Sequence, residues 1–232
     1  MKTGFVEIER VVLGMDSTGP LTPELISVAA QYLAREDPHF DLILKQHGPP
    51  PLWARRTGFA TLIRIILEQQ VSLVSAASMY RRLTSNVIPF TPHRFVELGE
   101  AYLRSLGLTR QKSAYCVHLA RSIIDGQLNL RRIRTLNDLE AREELMRING
   151  IGTWSADVYL LMALRRPDIW PSGDVALITA VTSLKALKAR PNPEQLLKLA
   201  EPWRPFRAVA ARMLWQYYLA RRSRTGILAG PL

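Results

Sequence analysis

The sequence contains a single cysteine, Cys116, among 232 residues. One thiol excludes a disulfide framework, a four-cysteine iron–sulfur cluster and a cysteine-rich zinc site, and it suits a reducing compartment. The four histidines show neither an HExxH motif nor any other paired metal spacing. The sequence therefore predicts no metal site built from cysteine or histidine side chains.

Long apolar runs are absent as well. No uncharged apolar stretch reaches the length needed to cross a bilayer. The first residues, MKTGFVE, are followed by further charges and not by the apolar core of a secretory signal. We therefore expect a cytosolic protein without a membrane partner, nucleoid-associated in a bacterium or nuclear in a eukaryote.

Basic residues, by contrast, are abundant. Lysine and arginine number 31 against 20 acidic residues, which gives a net charge of +11. Such an excess favours a polyanionic partner, and nucleic acid before membrane. The alternative is a generally basic, solvated surface.

Helical signals dominate the chain, and convincing alternation of apolar and polar residues is missing. Apolar residues recur at spacings of three and four through 59–67, and Thr22-Pro23 has the pattern of a capped helix start. The sequence predicts an all-α fold of two helical lobes with a cleft between them. Proline-rich breaks at 49–51 and 171–173 place residues 1–58 plus 172–232 in one lobe and 59–171 in the other.

The stretch 145–174 carries the chemistry. Gly150 and Gly152 lie in a turn between amphipathic segments, where bare amides at a helix start suit a phosphate. Asp174 follows a Pro-Ser-Gly break and opens another apolar helix, which predicts a lone carboxylate at the mouth of the cleft. The alternative is an ordinary turn followed by an aspartate that only caps a helix.

This stretch resembles the helix-hairpin-helix plus Gly/Pro-Asp superfamily of DNA glycosylases, and within it the 3-methyladenine DNA glycosylase II (AlkA-type) branch. The matching stretches follow the family's order over about residues 25–220. They are ILEQQVS at 66–72, LGLTRQK at 106–112, the hairpin with its aspartate, and WRPFR at 203–207 continuing to Trp215.

The resemblance implies a role for each matched residue. Asp174 is the implied catalytic carboxylate. Trp154, Trp215 and Tyr159 are the implied base pocket, and Gln70, with neighbouring Gln69, is the implied wedge that enters the DNA. Gly150, Gly152, Thr153 and Arg207 are the implied contacts to the DNA backbone. A monovalent cation is implied on the backbone carbonyls of Met146, Ile148 and Ile151, and no cofactor is required.

The implied reaction is removal of an alkylated base from double-stranded DNA, leaving an abasic site, by a monomeric enzyme. Strand-cleaving relatives use a hairpin lysine as a Schiff-base nucleophile, and Trp154 occupies that position here. Two departures from the family pattern are Asn149 in place of the usual proline and Val158 at an aromatic pocket position.

Three alternatives stay open at this point. A glycosylase of the same fold could act on uracil, hypoxanthine or an etheno adduct. A non-catalytic helix-hairpin-helix module could bind DNA with Asp174 as a mere cap. The arginines of the last helix, including Arg207 and Arg212, could contact phosphates or form a solvated face.

Overall fold

The computed structural model describes residues 19–224. This range contains twelve α-helices and one 3-10 helix and no strand, which confirms the all-α prediction. The described residues form two compact units, 19–54 with 165–224 and 55–164. The lobe boundaries expected at 58/59 and 171/172 stay predictions, and the chain ends included in that assignment, 1–18 and 225–232, lie outside the described residues.

The first unit is built from five α-helices and the 3-10 helix. Its helices are α1 (Pro23–Glu36), α2 (Pro38–His47), α10 (Val175–Leu184), α11 (Pro193–Ala200), the 3-10 turn Glu201–Trp203, and α12 (Arg207–Arg224). Side chains start them as the sequence predicts: the Thr22 hydroxyl accepts a hydrogen bond from the Leu25 amide at 3.2 Å. Helix α12 packs against α1, α2 and α10.

Asp37 forms a polar cluster at the start of α2. Its Oδ1 accepts the His39 amide at 3.0 Å, and its Oδ2 accepts Lys185 Nζ at 2.8 Å and Trp203 Nε1 at 3.2 Å. Burial alone would raise the pKa of Asp37, but Lys185 foremost, and then His39, lower it from 3.8 to about 2. The ionised carboxylate therefore stabilises this unit.

We expect Asp37→Asn to lower the free energy of unfolding by about 1–2 kcal/mol near neutral pH. Because the pKa in the folded protein (about 2) is below the ordinary value of 3.8, the contribution is lost as the pH falls from about 4 towards about 2. Urea unfolding of both proteins at about pH 7 and about pH 3 measures the difference. Asp41→Asn, at an exposed ion pair with Lys45, is the control; a pH-independent difference for Asp37→Asn would contradict the prediction.

The second unit contains seven helices. They are α3 (Phe59–Glu68), α4 (Leu73–Asn86), α5 (Pro92–Ser105, interrupted at Gly99), α6 (Arg110–Ile124), α7 (Leu130–Ile133), α8 (Asp138–Met146) and α9 (Thr153–Met162). Helix α9 is buried from Ser155 to Met162 and packs against α3 and α8. It is the centre of this unit, and the segment 147–152 that precedes it is therefore anchored to the core.

Helix α3 supplies the other half of this core. Leu62, Ile63, Ile65 and Ile66 are at most 1% exposed, and each contributes about 1.5–3 kcal/mol through burial. The helix ends at Glu68, and Ser72 caps α4 by accepting the Ser75 amide at 3.1 Å. This confirms the corner that the sequence predicts at Gln69-Gln70. Among the helices within 19–224, none is long and apolar enough to cross a membrane.

Candidate functional site

Helices α8 and α9 form a hairpin that an ion pair between a half-buried arginine and a buried aspartate holds together. Arg142 Nε donates to Asp157 Oδ1 at 2.6 Å, and Asp157 is 1% exposed. Between the helices the chain turns tightly, with the Ile151 amide donating to the Ile148 carbonyl at 2.9 Å. A charge-assisted bond to a buried carboxylate resists opening of the hairpin, so the turn has a defined shape before any ligand binds.

The two glycines of this turn differ in their backbone conformation and in the space around them. Gly150 has φ +95°, and a Cβ there would lie 2.4 Å from Cγ of Tyr115. Gly152 has φ −89°, and a Cβ there would meet nothing within 4 Å. The protein's own packing therefore requires glycine at 150. At 152 the missing side chain leaves open space on the outside of the turn.

Gly152 is also the N-cap of α9, and no side chain caps this helix. The first amides of a helix carry a partial positive charge and have no partner within the helix itself. Thr153 follows on the exposed surface. Backbone donors at an open, uncapped helix start are suited to an anionic oxygen.

A groove of about 420 Å³ runs beside the hairpin and brings several predicted site residues together. It is lined by Gln69, Gln70, Gln111, Lys112, Tyr115, Met146 and residues 148–152. The predicted wedge residue Gln70 and the two hairpin glycines, Gly150 and Gly152, therefore share one surface within the second unit.

Of the two wedge candidates, only Gln70 points away from the core. Gln70 is exposed and has φ +56°, in the left-handed region. The side-chain amide of Gln69 instead donates to the Gly150 carbonyl and to Ser155 Oγ, both at 2.8 Å. Gln69 thus ties the corner between α3 and α4 to the hairpin, and Gln70 is the residue of that corner that is exposed to solvent.

In the first unit, Asp174 is held by two donors. Its Oδ1 accepts the Leu177 amide at 2.9 Å and Trp215 Nε1 at 3.1 Å. The first bond is an ordinary N-cap of α10, as the alternative interpretation predicts. The second is not needed for capping. The carboxylate is 8% exposed between two exposed neighbours, Gly173 and Val175, so it lies at the edge of the surface with a fixed orientation.

Comparison with known proteins assigns the family. Residues 63–205, more than half of the chain, match the profile described as "HhH-GPD superfamily base excision DNA repair protein". The chain belongs to the HhH-GPD superfamily.

Individual relatives agree. A DNA-3-methyladenine glycosylase of Bacillus subtilis is 28% identical over 170 residues, which cover 68% of this chain and 56% of that protein. DNA-3-methyladenine glycosylase 2 of Escherichia coli is 27% identical over 92% of this chain and 79% of its own. The 3-methyladenine DNA glycosylase Mag1 of Schizosaccharomyces pombe, solved in complex with abasic DNA, superimposes with a TM-score of 0.76 at 26% identity and covers 81% of this chain and 95% of that one.

Two residues that the HhH-GPD resemblance assigns to ligand contact are engaged within the protein. Tyr159 is 0% exposed, its hydroxyl accepts the Gly58 amide at 3.1 Å, and burial raises its pKa. Arg207 is 8% exposed, and its guanidinium binds Asp168 at 2.9 Å and Glu201 at 3.1 Å. We therefore correct both predictions: Tyr159 is part of the core of its unit, and Arg207 is a structural ion-pair residue.

The arginines at 212, 221 and 222 of α12 do not form a uniform phosphate-binding face either. Arg212 is 0% exposed and donates to the Leu52 and Ala208 carbonyls, both at 2.9 Å. Arg221 and Arg222 lie over the rings of Tyr217 and Tyr218 of the same helix. A count of charges along a helix does not reveal these partners.

The remaining HhH-GPD positions are compatible with their predicted roles. Trp154 is half-buried near the start of α9. The carbonyls of Met146, Ile148 and Ile151 lie in the segment that ends α8 and forms the turn; the Ile148 carbonyl accepts the Ile151 amide at 2.9 Å, and a carbonyl oxygen has a second lone pair beside such a bond. Oxygen donors of this kind fit a hard monovalent cation. Among the described residues no cluster of three or more histidine, cysteine or acidic side chains could hold a metal ion.

Sequence reasoning gave no role to Gln111, Lys112 and Tyr115, three residues of the groove. Tyr115 packs on Gly150, and Lys112 donates from Nζ to the Leu67 and Gln69 carbonyls at 2.6 and 2.9 Å. Lys112 is part of the matched stretch 106–112, but a lysine early in a helix gives no sign of which carbonyls it will reach. Only the packing of α6 against α3 shows this.

Proposed function

We propose that this protein is a monofunctional DNA glycosylase that removes alkylated bases of the 3-methyladenine kind from double-stranded DNA in base excision repair. The single observation that carries the proposal is the Asp174 carboxylate, which Trp215 orients in a chain of the HhH-GPD superfamily. The activity named for the relatives from Bacillus subtilis and Escherichia coli supports it. This chain spans little more than half of the first of them.

The hairpin would hold the DNA backbone. A Cβ at Gly152 would meet no atom within 4 Å, and in this open space a phosphate oxygen would accept from the amides at Gly152 and Thr153. Gln70 would enter the stack where the damaged nucleotide leaves it, and this offsets part of the cost of extruding that nucleotide. The carbonyls of Met146, Ile148 and Ile151 would hold a monovalent cation, whose positive charge would add to the attraction for the DNA phosphates.

Asp174 would act on the sugar of the extruded nucleotide. As the N-glycosidic bond breaks, the deoxyribose develops oxocarbenium character, which a fixed carboxylate stabilises. Asp174 also orients the attacking water, whose oxygen bonds to the sugar carbon while the proton is lost to the carboxylate or to solvent. The bonding electrons leave with the base. An alkylated purine is already cationic, so it departs without a general acid.

Aromatic faces would select the cationic base. Trp215, whose N–H is bound to Asp174, and Trp154 in the second unit are the candidates. A cation over an indole ring gains about 0.5–2 kcal/mol, which a neutral base does not gain. The proposal therefore predicts preference for N-alkylated purines over uracil or hypoxanthine. We also propose that the enzyme works as a monomer and without a cofactor.

A panel of duplexes tests the reaction. Each carries one lesion: 3-methyladenine, 7-methylguanine, hypoxanthine, uracil or an etheno adduct. We expect release of the free methylated purine and an abasic site that alkali cleaves, with much slower release of the neutral lesions. Because Trp154 replaces the Schiff-base lysine, borohydride should trap no covalent complex. Binding to every duplex without release of any base would refute catalysis and leave a DNA-binding module.

A further inference from the structure

The turn at Gln69-Gln70, between α3 and α4, has an unfavourable backbone conformation. Gln70 is not glycine, yet its φ is +56°, a region that L-residues with a side chain seldom occupy. Such a conformation persists only where the surroundings hold it in place. Gln70 itself is exposed, so the restraint must come from its neighbours.

Lys112 supplies the first restraint. Its ammonium bonds to the Leu67 carbonyl at 2.6 Å and to the Gln69 carbonyl at 2.9 Å, so it bridges the last turn of α3 and the residue before Gln70. A cation is favourable at the carbonyl end of a helix. The residue is only 8% exposed, and burial lowers its pKa. The buried ammonium of Lys112, bonded to both carbonyls, restrains the turn at Gln69-Gln70.

Gln69 supplies the second restraint. Its amide nitrogen donates to the Gly150 carbonyl and to Ser155 Oγ, each at 2.8 Å. These bonds tie the same turn to the hairpin and to the first turn of α9. Lys112 and Gln69 together fix the distance between Gln70 and the open helix start at Gly152.

We infer that Lys112 and Gln69 are positioning residues that hold the Gln70 wedge in register with the hairpin, so that a phosphate bound at Gly152 places the wedge at the base to be extruded. The inference rests on the proposed function. Neither residue touches the reacting atoms; each acts through Gln70. Their loss should therefore impair extrusion of a paired base far more than the breaking of the glycosidic bond.

The test compares two duplexes with the same methylated purine. In one the lesion lies opposite its normal partner base, and in the other it lies opposite an abasic site. Extrusion is easier in the second. We expect Lys112→Met to slow single-turnover base release from the paired duplex about 10–100-fold, the loss typical of hydrogen bonds to a charged group. Release from the duplex with the opposing abasic site should slow no more than about 3-fold. Lys198→Met, at an exposed lysine, is the matched control.

Gln69→Met is the second variant, because it removes the bonds to the hairpin without leaving a cavity. It should show the same selective loss, and it keeps the test possible if Lys112→Met does not fold. Equal slowing on both duplexes, or none, would mean a purely structural role and would overturn the inference. A measurement without chemistry separates this outcome from failure of the proposed function. Fluorescence of 2-aminopurine beside an abasic analogue should rise when wild-type protein binds, and it should rise less with either variant.

Discussion

Replacing Asp174 by asparagine should slow base release by about 10²–10⁴-fold, the range found when one charged catalytic group is removed. Asparagine has nearly the same shape and is an equally good N-cap, so its side-chain oxygen can still accept the Leu177 amide that Asp174 accepts at 2.9 Å. It can also accept the Trp215 N–H. What the substitution removes is the negative charge that we propose stabilises the developing cation on the sugar.

Three measurements separate this from damage to the fold. Thermal unfolding and affinity for a duplex with an abasic analogue should stay close to wild type, while single-turnover release of a methylated purine falls. Asp41→Asn changes the net charge equally in the same unit, at an exposed ion pair, and should leave all three unchanged. Near-normal release by Asp174→Asn would reduce this residue to a helix cap and remove the catalytic proposal.

Helix starts and corners could be predicted because their causes are local. Thr22-Pro23 and Asn192-Pro193 combine a capping side chain with a proline that cannot donate, and both begin helices in the structure. The corner at Gln69 follows from the end of an apolar repeat and a serine that caps the next helix. These signals lie within four or five residues of one another.

Partners distant in sequence could not be predicted. Periodicity places Tyr159 on a helix but does not tell a buried face from a ligand-facing one, and all of α9 from Ser155 onward is buried. The charge of Arg207 suggests phosphate, yet Asp168 lies 39 residues away and pairs with it. Two glycines one residue apart look equivalent in the sequence, while the ring of Tyr115 packs against only one of them.

That difference predicts that alanine at position 150 lowers stability, whereas alanine at position 152 lowers DNA affinity. Gly150→Ala places a Cβ 2.4 Å from the Tyr115 ring at φ +95°. Positive φ costs alanine about 1–2 kcal/mol, and the clash adds about 1–3 kcal/mol. We therefore expect a loss of about 2–5 kcal/mol in the free energy of unfolding. Urea denaturation measures it, and Tyr115→Ala in the same chain should recover the part that is due to the clash.

Gly152→Ala should leave stability within about 0.5 kcal/mol of wild type, because φ is −89° and no atom lies within 4 Å of the added methyl group. The methyl group instead occupies the space proposed for the phosphate. Affinity for lesion-free duplex DNA should fall about 10-fold, the equivalent of one charge-assisted hydrogen bond. Gly19→Ala, at an exposed position outside the positive-φ region and with no atom near its added methyl group, is the control for DNA binding. Unchanged affinity in Gly152→Ala would mean that DNA does not approach the hairpin here, because the protein itself gives no other reason for the missing side chain.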